Sequence, residues 1–243
     1  MESTNEGAMS GHDLAEMARA RASILAFLNL HFTTLPDAAF VEHVRGQEYT
    51  AALEALAADD SLPADMTTGA GLMLGFIRST AGTEASRFSD VLGVDRTRLY
   101  RGVSPTYGPP PPYEAVWSKR VTNVASTLQE IAGIYRQSGM VVSPEAKERQ
   151  DSIGVELDYL NQLALREAEA WEAGQTKQAR GLLEAQTAFL VAHVGDWAPA
   201  FVEKALTKAE TDFYRGHLTM LRGFLASERD RVQALLEDAG AAS

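Results

Sequence analysis

The sequence predicts an all-α fold: a single globular helical domain of roughly nine to eleven helices. Three observations predict it. Apolar residues recur at helical spacing through most of the chain, capping residues and prolines punctuate those periodic blocks, and no alternating run bounded by hairpin turns occurs. With 243 residues, 45% hydrophobic and 23% charged, the composition suits a soluble protein able to bury one sizeable core.

The elements follow in order. Residues 1–10 are polar and acidic and read as a disordered tail, with residues 11–243 forming the helical domain. From Gly11 the first helix places Leu14, Met17, Ile24, Leu25 and Leu28 on one face. Pro36 opens a second helix that carries Phe40, Val41, Val44, Leu53 and Leu56, with a break expected near Gly46. Pro63 opens a third, and Thr83 is a suitable N-cap for a fourth running toward Tyr100. The stretch 102–113 then holds five of the nine prolines and reads as an extended loop. Its aromatic content (Tyr100, Tyr107, Tyr113 and then Trp117) exceeds that of an ordinary polar linker. Glu114–Ser138 reads as a helix, and Ser143-Pro144-Glu145 starts another. Ile153–Trp171 is strongly periodic and ends near Gly174. Thr176 caps a helix that stops around Gly195, Trp197–Leu206 forms a short one, and Phe213–Leu236 a long last one with a frayed end.

Composition excludes several kinds of chemistry. The absence of cysteine removes disulfides, thiolate metal sites and cysteine nucleophiles together. A formal charge of -11 argues against nucleic acid as a partner and favours a basic or neutral one, or simply solubility. No stretch reads as a leader or a membrane span, so a cytoplasmic protein without stable membrane insertion is expected. No Gly precedes any Lys, which rules out a phosphate loop, and the cluster Gly69-Ala-Gly71-Leu-Met-Leu-Gly75 misses dinucleotide-loop spacing. His12, His31, His43, His193 and His217 form no pair one helical turn apart, so scattered structural or surface histidines are expected in place of a metal site; a site assembled from distant helices stays open, and no enzyme activity is expected.

Three stretches, covering residues 99–214 in order, carry a likeness. The first is Leu99-Tyr100-Arg-Gly-Val-Ser-Pro105, followed by Pro111-Pro112-Tyr113-Glu114-Ala-Val-Trp117. The second is Asp151-Ser-Ile-Gly-Val-Glu156-Leu157-Asp-Tyr159-Leu160-Asn-Gln-Leu163. The third joins Gln186, Phe189, His193, Trp197, Pro199 and Phe201 to Phe213-Tyr214. This set resembles the TorD/DmsD/NarJ-type redox enzyme maturation proteins. It departs from their pattern at Ser152, where the family has a histidine, at Gln150 in place of a proline, and at Ala115 in place of a serine.

The resemblance implies an all-helical chaperone without a redox cofactor. Its partner would be the catalytic subunit of a molybdopterin-dependent oxidoreductase of the DMSO reductase type. It would bind that subunit's twin-arginine signal peptide or N-terminal segment and hold it until cofactor insertion. A twin-arginine leader offers two guanidinium groups and then an apolar stretch, which call for carboxylates and an aromatic-lined apolar groove. Leu99, Tyr100, Pro112, Tyr113, Glu114, Trp117, Asp151, Ser152 and Glu156 are the candidate peptide-binding residues, with Glu114 and Asp151 as the carboxylates. Each has a plainer alternative. Glu114 suits a helix start, Asp151 a solvated helix position, Ser152 a mere polar neighbour, Trp117 and Tyr159 the core, and Glu156 a tie between two helices. A nucleotide-binding maturation factor and a helical scaffold protein remain as other functions, and both monomer and dimer are compatible with the sequence.

Overall fold

The computed structural model describes residues 9–104, 106–143 and 148–241. Among them the chain forms eleven helices and no strand. In order these are α1 (Gly11–Thr33), α2 (Ala38–Arg45), α3 (Gln47–Ala58), α4 (Ala64–Ser79), α5 (Ala85–Tyr100) and α6 (Glu114–Trp117). They continue with α7 (Val124–Gln137), α8 (Ile153–Glu172), α9 (Thr176–Ala192), α10 (Val194–Leu206) and α11 (Asp212–Ala241).

Helix α1 begins on a capping box. The Ser10 hydroxyl accepts from the Asp13 N–H at 3.1 Å, and the Asp13 carboxylate accepts from the Ser10 N–H at 3.2 Å. Its inward face is lined by Leu14, Ala18, Leu25, Leu28 and Phe32 and lies along α8. Helix α4 lies along α11, which also touches α1, α5, α9 and α10 and so runs through the centre of the molecule. Trp197, Phe201, Phe213, Tyr214 and Phe224 are fully buried where these elements meet. Among the described residues no helix is long and apolar enough to cross a membrane.

Two contacts fix the helix pairs. A Cβ on Gly69 would stand 2.4 Å from the Gly216 carbonyl oxygen, and one on Gly216 would stand 2.5 Å from that of Gly69, so α4 and α11 touch backbone to backbone. On the other side of α11, Arg21 from α1 meets Glu167 of α8 and, at 3.7 Å, Glu228 of α11. Gln186 of α9 and Trp171 donate to the same Glu167 carboxylate at 2.8 and 3.1 Å. This buried knot ties four helices together.

The structure revises several sequence expectations. Glu114–Ser138 is not one helix but two, α6 and α7. The chain turns extended at Ser118, whose hydroxyl donates to Asp196 of α10 at 2.6 Å, and Asn123 then caps α7 by accepting from the Ala125 N–H at 2.9 Å. The break near Gly46 is present and separates α2 from α3. Thr83 does not cap α5; Glu84 occupies that position without a side-chain bond, and Gln175 likewise precedes α9. The last short helix begins earlier than expected, at Val194, after a kink at His193. The start expected at Ser143-Pro144-Glu145 reaches residues outside those described, as does most of the expected N-terminal tail.

Candidate functional site

The proline run does what its chemistry allows: it accepts hydrogen bonds and donates none. Gly102, at φ +60°, lets the chain fold back on it, since a Cβ there would stand 2.5 Å from Pro111 Cδ. The Pro111 carbonyl accepts from the Trp117 indole at 3.0 Å. The Pro112 carbonyl accepts from the Ile153 N–H at 3.0 Å, and the Glu114 N–H donates to the Asp151 carbonyl at 2.9 Å. These two peptide bonds pair Tyr113 with Ser152 in antiparallel fashion and clasp the corner onto the first turn of α8. Ser152 also caps that helix, accepting from the Val155 N–H at 3.4 Å.

Behind the clasp sit three acids. Asp151 is wholly buried and accepts twice from Arg149, at 2.8 Å each, and once from the Ala115 N–H at 3.0 Å. The Arg149 guanidinium lies 4.5 Å over the Tyr113 ring, so one cation neutralises the acid and braces the aromatic. Glu114 Oε2 lies 2.9 Å from His193 Nδ1, both buried. Glu156 accepts from the Trp197 indole at 3.0 Å and joins α8 to α10. Burial, then the neighbouring Glu114 carboxylate, pushes Glu156 well above the usual carboxylate range. Tyr100 also turns its polar end inward. Its hydroxyl lies 3.1 Å from His217 Nδ1, whose Nε2 is 3.0 Å from the Leu28 carbonyl. Burial holds His217 down at about 4, so it is neutral, donating to Leu28 and accepting from Tyr100.

Trp197→Phe should cost about 1–3 kcal/mol, because Glu156 loses the partner of its one satisfied oxygen. Urea unfolding measures this. An unchanged midpoint would mean that the indole bond contributes nothing.

In front of the clasp the surface opens. A cavity of about 40 Å³ lies among Arg96, Tyr100, Pro112, Tyr113, Ser152 and Gly154. It shares Thr33, Glu148 and Gly154 with a groove of about 300 Å³ between α1, α8 and the strip 140–143. Met140, Val141, Val142 and Val155 line that groove, with the side of Tyr159 as its floor. Val141 is 80% exposed, beside half-buried Met140 and Val142. Glu148 and Asp158 are exposed at the rim, and among the described residues neither forms an ion pair.

The nine residues singled out in the sequence therefore separate into two sets. Tyr100, Pro112, Tyr113 and Ser152 line the small cavity. Leu99, Glu114, Asp151 and Glu156 are buried behind it, and Trp117 is half-buried against Phe201. Sequence reasoning passed over Asn29 and Thr33 of α1, Arg96, Glu148, Arg149 and Asp158. Only Arg149, two residues before an acid, and Asp158, inside a quoted motif, left a readable trace.

Comparison with known proteins adds the following. The family model described as nitrate reductase delta subunit matches residues 59–203. The chain is similar to the chaperone protein TorD of Vibrio cholerae, with 22% identity over 52% of this chain and 56% of that protein. It is also similar to the perchlorate reductase assembly chaperone protein of Dechloromonas aromatica, with 25% identity over 49% of this chain and 52% of that one. The matched region thus spans about half the length of these curated relatives.

Proposed function

The chain belongs to the nitrate reductase delta subunit family, the TorD/NarJ family, and we propose that it is an assembly chaperone for a molybdenum-cofactor oxidoreductase subunit. In this reading it works in the cytoplasm, binding the twin-arginine signal peptide or N-terminal segment of its client until the cofactor is inserted. The observation that carries the proposal is the open groove between α1, α8 and strip 140–143, apolar on its walls and acidic at its rim. The relatives' names support the role, and the charge of -11 supports a basic client segment.

The parts divide the work. Val141, Met140 and Val155 take the apolar stretch of the leader, and Glu148 and Asp158 take its arginines. Tyr100, Pro112, Tyr113 and Ser152 form the adjoining face. Leu99, Glu114, Trp117, Asp151 and Glu156 hold that face in place from behind, with Glu114 taken up by His193, Asp151 by Arg149 and the Ala115 N–H, and one Glu156 oxygen by Trp197. Each arginine contact contributes about 1.5–3 kcal/mol and each buried apolar side chain a similar amount. Ordering a flexible leader costs about 2–5 kcal/mol. The balance is reversible binding on the order of micromolar, which suits a protein that must hand its client on. The role requires no chemistry.

Titrating a fluorescent leader peptide with the intact chain tests this. Saturable, salt-sensitive binding is expected, weakened about tenfold or more when both peptide arginines become alanine or when Asp158→Asn and Glu148→Gln are combined. Equal binding of the alanine peptide would remove arginine recognition. No binding of any leader would leave a helical scaffold protein instead.

A further inference from the structure

We propose that the small cavity at the N-terminus of α8 is an oxyanion site, built to take a single carboxylate or phosphate group. Its wall is Arg96 of α5, only 6% exposed. One Nη donates to the Phe32 carbonyl, the guanidinium carbon lies 5.9 Å from the centre of the Tyr100 ring, and Nε has no partner. Among the described residues no acid pairs with Arg96. A buried guanidinium without an anion is costly, and an anion in this cavity would supply the missing charge.

The second contribution is independent of the first. Helix α8 runs for 20 residues, and its N-terminal turn faces the same cavity through Ser152, Ile153 and Gly154. The Ile153 N–H is taken by the Pro112 carbonyl and the Val155 N–H by the Ser152 hydroxyl. The Gly154 N–H is left with no partner among the described residues. A free amide at the positive end of a long helix, beside an unpaired guanidinium, is the arrangement that binds oxyanions. Exposed Arg101 adds a further positive charge at the mouth.

Size and charge narrow the ligand. About 40 Å³ exceeds the roughly 10–15 Å³ that one water requires and suits one compact head group. Exposed Glu148 also lines the cavity, and it disfavours a polyanion more than a single charge. The ligand is a free anion or the acidic group of a bound chain, and these share one chemistry. The site does not depend on the chaperone reading. Anion binding without leader binding would sustain the one and sink the other.

The experiment is an amide NMR titration of the full-length protein with potassium phosphate and, separately, potassium acetate, against potassium chloride at equal ionic strength. The Gly154 amide should shift saturably with phosphate or acetate and not with chloride. Arg96→Gln should weaken that binding about tenfold or more, as loss of one charge-assisted hydrogen bond implies, and Arg96→Lys should recover part of it. Saturation by phosphate alone assigns a phosphate ligand, and saturation by acetate assigns a carboxylate. Should Arg96→Gln fail to fold, Arg101→Ala at the mouth still has to weaken the Gly154 response. A chloride response equal to the others, a Gly154 amide that does not move, or unchanged affinity in folded Arg96→Gln would each overturn the proposal.

Discussion

Replacing Arg21 by methionine is expected to lower the unfolding free energy by about 3–5 kcal/mol, because it strands two buried carboxylates. Glu167 and Glu228 are each about 1% exposed, and Arg21 is the cation that lies between them. The Glu228 oxygens have no hydrogen-bond donor, and Arg231 reaches one of them only at 3.9 Å. Burial is the main cause that pushes the Glu228 carboxyl up to about 7, against the lowering effect of Arg21. The unfolded chain titrates this group near 4.5. Between those values the folded protein holds a proton that the unfolded chain has released. The stabilisation that this group contributes is therefore fully present below about 4.5 and is lost as pH rises through about 7, by roughly 1.4 kcal/mol per unit of difference at most. Glu228→Gln, which keeps the shape and needs no proton, should flatten that decline. Urea unfolding from pH 4 to pH 8 reads both effects. A difference between wild type and Glu228→Gln that rises with pH through this window would show that Arg21 keeps Glu228 ionised instead.

The second large effect is expected at the crossing of α4 and α11. Gly216→Ala should destabilise the protein by about 3 kcal/mol, at the upper end for overpacking, since the new methyl meets a backbone carbonyl that has no rotamer to yield. Gly69→Ala should do the same from the opposite side. The same helix supplies the control. Gly71 and Gly75 are exposed, and a Cβ at either would meet nothing. Gly71→Ala should therefore stabilise by roughly 0.5–1 kcal/mol through helix propensity alone. Thermal unfolding of the three variants decides. If Gly69→Ala and Gly71→Ala moved together, backbone contact would not be what Gly69 provides.

That comparison also shows what a sequence can convey. The Gly69–Gly75 cluster fails as a nucleotide loop on spacing alone, but nothing local separates the glycine at a helix crossing from two that face solvent. The answer lies on α11, far along the chain. Helix faces were legible because burial imposes a period on each helix separately, and so the blocks around Leu25, Phe40, Leu160 and Leu183 could be read directly. The interruption between α6 and α7 was hidden because Ser118 turns the chain by bonding to Asp196, a partner on another helix. At the site, motifs of known order brought Tyr113 and Ser152 among the candidates. Their antiparallel pairing carried no sequence signal, nor did the burial of Ser152. Asp151 and Glu114 look like free acids in sequence, while in the fold Arg149 and His193 take them up. Arg96 carries no local mark at all. It reads as one of several arginines on an amphipathic helix, and only the folded chain seals it beside the amide of Gly154.

The clasp between Tyr113 and Ser152 has a mechanical consequence. Because two peptide hydrogen bonds close the ends of the excursion that contains α6 and α7, that excursion is anchored at both feet to the same turn of α8. Strip 140–143 belongs to it, and just before the strip Ser138 is bonded to the Tyr159 hydroxyl at 2.7 Å and accepts from Arg166, both on α8. A chain entering the groove therefore meets two banks already tied to one helix, and the excursion is held along its length as well as at its feet.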